Sequence, residues 1–194
     1  NLRTTVVNDL NYSSNDFISN LGFINNFDLY LKNLNAVGKN DSIYTSNTQI
    51  DGMSILKIDS SFPLLKSRNK IKETLIPKIS LRINPGNNMD DYSGSATNIN
   101  ANNVFDINRL GISNDFEAGR SLTLGLDYKF DKLEVDQTED VKDKYLELKL
   151  ATVIRDQNEN DIPISSTINR KNSDLFGSIN NKLFDNVNLN YNFS

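Results

Sequence analysis

Residues 122–130 read Leu-Thr-Leu-Gly-Leu-Asp-Tyr-Lys-Phe, so Leu122, Leu124, Leu126, Tyr128 and Phe130 alternate with Thr123, Gly125, Asp127 and Lys129. Successive side chains of a β-strand point to opposite faces, which gives this segment one apolar and one polar face as a strand. A helix would scatter the same residues. The period continues on both sides. In 75–83, Leu75, Pro77, Ile79, Leu81 and Ile83 alternate with Ile76, Lys78, Ser80 and Arg82. In 146–154, Leu146, Leu148, Leu150, Thr152 and Ile154 alternate with Glu147, Lys149, Ala151 and Val153. In 187–193, Val187, Leu189, Tyr191 and Phe193 alternate with Asn188, Asn190 and Asn192. The odd positions of 17–31, from Phe17 through Leu21, Phe23, Phe27 and Leu29 to Leu31, predict one further long strand. Weaker alternation runs through 2–12, 42–62 and 174–184. The pattern predicts an all-β protein, an antiparallel up-and-down sheet of about eight long strands. Globular strands usually run about 5–6 residues, whereas a tilted membrane-spanning strand needs about 9–11.

The connections alternate in length. Links near 13–16, 63–69, 131–143 and 185–186 are mostly short, and Asp185-Asn186 suits a two-residue hairpin turn. Links near 35–41, 85–115 and 155–173 are longer on average. In a meander every second loop lies on the same side, and outer-membrane barrels carry short periplasmic turns and longer extracellular loops.

Composition narrows the function. The 194 residues carry 21 Lys+Arg and 25 Asp+Glu, a formal charge of -4, so a nucleic-acid partner is not expected. Cys and His are absent, which removes disulfides, Cys/His zinc sites, a Cys nucleophile and a Ser-His-Asp triad. A carboxylate-only metal site or acid–base pair remains open. Hydrophobic residues make up 37%, below the usual level of about 45–50%. A soluble sandwich or solenoid alternates in the same way, but it needs more apolar residues to build a core, and no repeat of fixed period is visible. A membrane barrel accounts together for long strands, low hydrophobicity and a very polar second face, with Lys78, Arg82, Asp127, Lys129, Glu147 and Lys149 towards a wet lumen. Both ends fall within patterned sequence, so the chain is expected to be an internal fragment, with 1–194 part of a single transmembrane barrel domain.

The most specific stretch is 71–130. A strand containing Pro77 ends at Asn84-Pro85. A polar loop then leads to an Asn-x-Phe-x-x-Asn-Arg element at Asn103, Phe105, Asn108 and Arg109. Next come Gly111, Asp115, Glu117, Gly119 and Arg120, feeding the strand that contains Gly125. This stretch resembles the C-terminal barrel domain of the lipopolysaccharide-assembly outer-membrane family, LptD, also called the organic-solvent-tolerance or OstA family. Leu110 and Phe116 stand where that family usually carries an aromatic and an arginine.

The resemblance implies a translocon component that inserts lipopolysaccharide into the outer leaflet of a Gram-negative outer membrane, with no enzymatic activity and no cofactor. It implies a lipoprotein plug like LptE, a periplasmic bridge protein like LptA, and sideways release between the first and last strands of the barrel. A porin or uptake receptor shares the fold without the 103–120 signature, and a soluble β-rich adhesin or binding module is the alternative of another class.

Three expectations follow for the structure. The sheet should be open rather than closed. Leu21, Phe23, Phe27, Leu29, Leu75, Ile79, Leu81, Leu122, Leu124, Leu126, Leu146, Leu148, Leu189 and Tyr191 should form the lipid face, with Thr123 tolerating an arginine far better than Leu124. The 85–115 loop should bend back over the polar face through Phe105–Arg109, because a solvated loop has no use for Val104, Phe105, Ile107 and Leu110. Arg109 has the carboxylates Asp115 and Glu117 within reach for charge-assisted bonds, whereas a catalytic role for those two acids has no partner groups in the sequence.

Overall fold

The computed structural model describes residues 2–40, 46–86, 98–111, 117–135, 141–160, 162–184 and 187–194. Among the described residues ten strands form one sheet: β1 (Leu2–Ser13), β2 (Phe17–Ile18), β3 (Ile24–Lys39), β4 (Gln49–Ser61), β5 (Leu64–Arg68), β6 (Ile71–Asn84), β7 (Gly119–Val135), β8 (Val141–Arg155), β9 (Phe176–Phe184) and β10 (Val187–Phe193). All pairings are antiparallel, in the order β1-β3-β4-β6-β7-β8-β9-β10, with β2 added beside β3 and β5 beside β6. The path is an open meander, the arrangement of a partial barrel. The central strands β3, β6, β7 and β8 are 16, 14, 17 and 15 residues long, well past the globular norm of about 5–6.

The alternation sets the register. Leu81 lies opposite Leu122 and Leu122 opposite Ile154, while Arg82 lies opposite Ser121 and Ser121 opposite Arg155. Each row therefore crosses the sheet on a single face. The apolar rows are the exposed ones. Leu124 and Leu126 are 37% and 38% exposed, whereas neighbouring Thr123 is 2%. Ile79, Leu81, Leu150 and Ile154 also lie open, and Ser80, Arg82, Asn84, Ser121 and Arg155 are buried. Burying a Leu or Ile fully is worth roughly 1.5–3 kcal/mol, and whole domains are stable by only about 5–15 kcal/mol. A row of such residues held in water would use up much of that margin.

Besides the expected 63–69 link, which holds β5, and the expected 35–41 link, into which β3 runs as far as Lys39, three sequence expectations change. Residues 17–31 are two strands, not one. Between β2 and β3 the chain turns at Ser19–Gly22, where the Gly22 N–H donates to the Ser19 carbonyl at 2.9 Å and Gly22 takes a positive φ of 89°. Phe17 pairs with Asn25 and Ile18 with Ile24, so odd positions share a face on both sides of the turn and the alternation passes through it. Leu21 is thus an exposed turn residue rather than part of a strand face. Phe23 precedes β3 and stacks on Phe62 at 4.9 Å. Second, the 131–143 link shrinks to 136–140, because β7 runs to Val135 and β8 begins at Val141. Third, Thr123 is not an open lumenal position but a buried one. The Asp185-Asn186 turn lies outside the described residues.

Pro77 sits on the outer face, opposite Leu126. One edge of β6 pairs with β4 from Lys78 onward and with β5 up to Leu75, and Pro77 falls in the gap between the two partners. Proline has no N–H to give a ladder, so the handover is where the strand tolerates it. Its carbonyl still accepts from the Phe62 N–H at 3.0 Å.

Candidate functional site

Residues 98–111 of the β6–β7 connection fold onto the polar face. Asparagines shape it. Asn100 Oδ1 accepts from the N–H groups of Asn102 (2.8 Å) and Asn103 (3.3 Å). Asn103 Oδ1 accepts in return from the Asn100 N–H at 2.8 Å, and its Nδ2 donates to the Asn98 carbonyl at 3.0 Å. Such side chains satisfy backbone groups that no strand can reach, so they hold the loop in consecutive turns. The Gly111 N–H closes the last turn on the Asn108 carbonyl at 3.1 Å, with a positive φ of 67° at Gly111.

The apolar side chains of that loop fill two seats. Ile99, Ala101, Val104 and Leu110 pack with Ala151 and Val153 of β8, with Phe176 of β9, and with Ile162 and Ile168 from the β8–β9 connection. Ile107 packs against Met53 and Ile55, as does Tyr30. Phe105 lies over Gly125, where an added Cβ would stand 2.5 Å from the ring Cζ. The Lys78 ammonium sits 4.7 Å from the centre of the same ring. Gly125 therefore makes room for an aromatic ring.

Beneath this packing lies a buried cluster of charge. Arg109 donates one hydrogen bond from each of its five N–H groups. Nε and Nη2 grip the Glu117 carboxylate bidentately, the Nε–Oε2 bond being 2.5 Å. Nη1 reaches the Val104 carbonyl (3.2 Å) and Thr123 Oγ1 (3.0 Å), and Nη2 also reaches Ser121 Oγ (3.0 Å). Arg155 approaches the same carboxylate from β8. Its Nη2 donates to Glu117 Oε1, its Nη1 to the Ala118 carbonyl at 3.0 Å and its Nε to the Ile168 carbonyl at 2.6 Å. Arg82 of β6 donates to the carbonyls of Asp106 and Ile107, and Asn84 Nδ2 to the Glu117 carbonyl at 3.2 Å. Arg109, Arg155, Arg82 and Glu117 are each at most 4% exposed. Burial lowers the Arg109 guanidinium from its ordinary value to about 9, still above neutral pH, so it faces Glu117 charged.

Of the residues singled out in the sequence, Asn103, Phe105, Asn108, Arg109, Gly111, Glu117 and Gly125 come together in this loop and its seat. Asp115 lies outside the described residues. Gly119 opens β7 with a positive φ of 83°, turning the chain from buried Glu117 into the strand. Arg120 is exposed and pairs with exposed Asp156 at 3.0 Å, away from the buried cluster. Pro77 is on the opposite face. Sequence reading missed Arg155, the second clamp on Glu117. It also left Met53, Ile55 and Phe176 without a role, although they are apolar residues on the polar face. Parity could have found Arg155, one alternate step beyond Val153. It could equally have marked Met53, Ile55 and Phe176 as the places where something covers the polar side.

With both oxygens of Glu117 engaged by guanidiniums, the arrangement is a clamp that fastens loop to wall. Among the described residues no group of three or more His, Cys, Asp or Glu gathers as a metal site, and no helix is long and apolar enough to cross a membrane. No curated protein and no solved structure matches the chain. The model of the LptD family, described as LPS transport system D, matches residues 27–194, and the chain belongs to that family.

Proposed function

We propose that this chain is part of the wall of a single outer-membrane β-barrel domain that delivers lipopolysaccharide to the outer leaflet of a Gram-negative cell. Family membership supports transport of lipopolysaccharide. The observation that carries the membrane reading is the inverted sheet, with Leu124 and Leu126 open and Thr123 buried. A soluble sandwich buries its apolar rows between two sheets, whereas a barrel in lipid turns them outward. On this reading Phe27, Ile79, Leu81, Leu124, Leu126 and Leu150 meet acyl chains, and Lys78, Asp127, Glu147 and Lys149 line the lumen.

The long connections 85–118 and 156–175 leave the same end of the meander, the extracellular end of such a barrel. The loop pack fastened by Glu117 then closes part of the lumen from outside. A lipoprotein plug would occupy the lumen from within, a periplasmic bridge would supply lipopolysaccharide, and release would be lateral, through a seam between strands. No covalent step is needed, because the cargo moves between polar and apolar surroundings rather than reacting.

Depletion of the full-length protein tests this. Newly made, pulse-labelled lipopolysaccharide should then stop short of the outer leaflet, read by membrane fractionation and surface labelling. Undiminished arrival at the surface would overturn the proposal.

A further inference from the structure

The β6–β7 and β8–β9 connections are separated in sequence by two whole strands, yet one carboxylate ties them together. Glu117 belongs to the first and binds Arg109 of that same connection. Arg155, at the end of β8, binds Glu117 and the carbonyls of both Ala118 and Ile168, so a single guanidinium holds both connections. The apolar contacts repeat the link, since Val104 and Leu110 share one buried cluster with Ile162 and Ile168. The base of the β8–β9 connection is held separately. There the Arg155 N–H donates to the Lys171 carbonyl (2.8 Å), the Glu159 N–H to the Asn169 carbonyl (2.8 Å) and the Ser173 N–H to the Val153 carbonyl (2.9 Å). The fold thus contains a hairpin-like stem at 155–159 and 169–173, and a tip around 162–168 that depends on its neighbour.

We infer that residues 98–111 and the tip at 162–168 form one lid, latched by Glu117, and that they open together and not one at a time. Guanidiniums and carboxylate are buried against one another, so the latch is costly to break halfway: releasing either partner strands the other in a dry site. Partial opening is disfavoured on both sides, and that is the condition for a two-state element. As an extracellular gate the lid rests on the transport reading above, but the coupling itself does not.

Hydrogen exchange on the full-length protein in native-like membrane particles tests the coupling without any transport assay. Glu117→Gln should raise exchange at least about tenfold in both 98–111 and 162–168, while the stem 169–173 and the strands β6, β7 and β8 stay protected. Ile168→Ser, a change in the second connection only, should likewise loosen 98–111. A rise confined to 98–111 for the first variant, or to 162–168 for the second, would overturn the inference. So would loss of the assembled barrel in both variants, since a latch is dispensable to the strands. Either failure leaves the transport reading untouched.

Discussion

Arg109 and Glu117 set the energetics at the residue scale. Removing one partner of a buried, hydrogen-bonded ion pair costs about 3–5 kcal/mol, because the survivor keeps its charge without its solvent. Arg109→Ala leaves Glu117 with Arg155 still in place, whereas Glu117→Ala leaves two guanidiniums facing each other. The second variant should therefore loosen the loop more than the first, measured as faster labelling of a cysteine placed at 104. Cells carrying either variant should admit bulky hydrophobic antibiotics more readily. Equal labelling in wild type and both variants would contradict the clamp. Gly125 gives a sterically defined test. A methyl at 125 meets Phe105 Cζ at 2.5 Å and the Leu150 carbonyl oxygen at 3.4 Å, so the ring must move and the backbone oxygen need not. Gly125→Ala should expose residue 104 to the label, and Phe105→Leu in the same chain should restore protection. Failure of the second change to restore it would place the clash elsewhere.

At the scale of elements, alternation decides which substitutions a strand accepts. An arginine on the lipid face near mid-membrane costs about 2–4 kcal/mol, and one on the lumenal face much less. Leu124→Arg should lower the unfolding free energy of the full-length barrel by that amount in a denaturant titration. The control must avoid the loop seat. Thr123 is buried and accepts a hydrogen bond from Arg109, so an arginine there would fail for a different reason. Thr74, on the polar face opposite Lys129 and only half-buried, is the proper comparison, and Thr74→Arg should cost under about 1 kcal/mol. Similar costs at 74 and 124 would contradict the facing of β6 and β7.

The same elements show what a sequence can display. Strands β3, β6, β7, β8 and β10 stand out because each has two chemically unlike faces. The short β2 and β5 do not. The turn after β2 keeps its parity, and β5 merely continues an edge that β4 leaves at Phe62. The loop's return to the wall was legible in Val104, Phe105, Ile107 and Leu110, apolar residues with no purpose in water. Its two seats were not, because Met53 and Ile55 of one, and Ala151, Val153 and Phe176 of the other, lie far from the loop in sequence and reach it only through the register. Arg155 escaped notice because a lone arginine at a strand end looks like any solvent-facing charge. Only the fold brings it beside Glu117.

At the scale of the whole molecule, the proposed orientation turns one face of the sheet to lipid and the other to a polar interior closed by the loop pack. Fluorophores placed singly at residues 122, 124, 126, 127 and 129 of β7 in the full-length protein, clear of the loop seat and reconstituted with acyl-chain-brominated lipids, measure that orientation directly. Quenching by the brominated chains should be strong at 122, 124 and 126 and weak at 127 and 129. Quenching that is uniform along the strand, or strong at the odd positions, would contradict it.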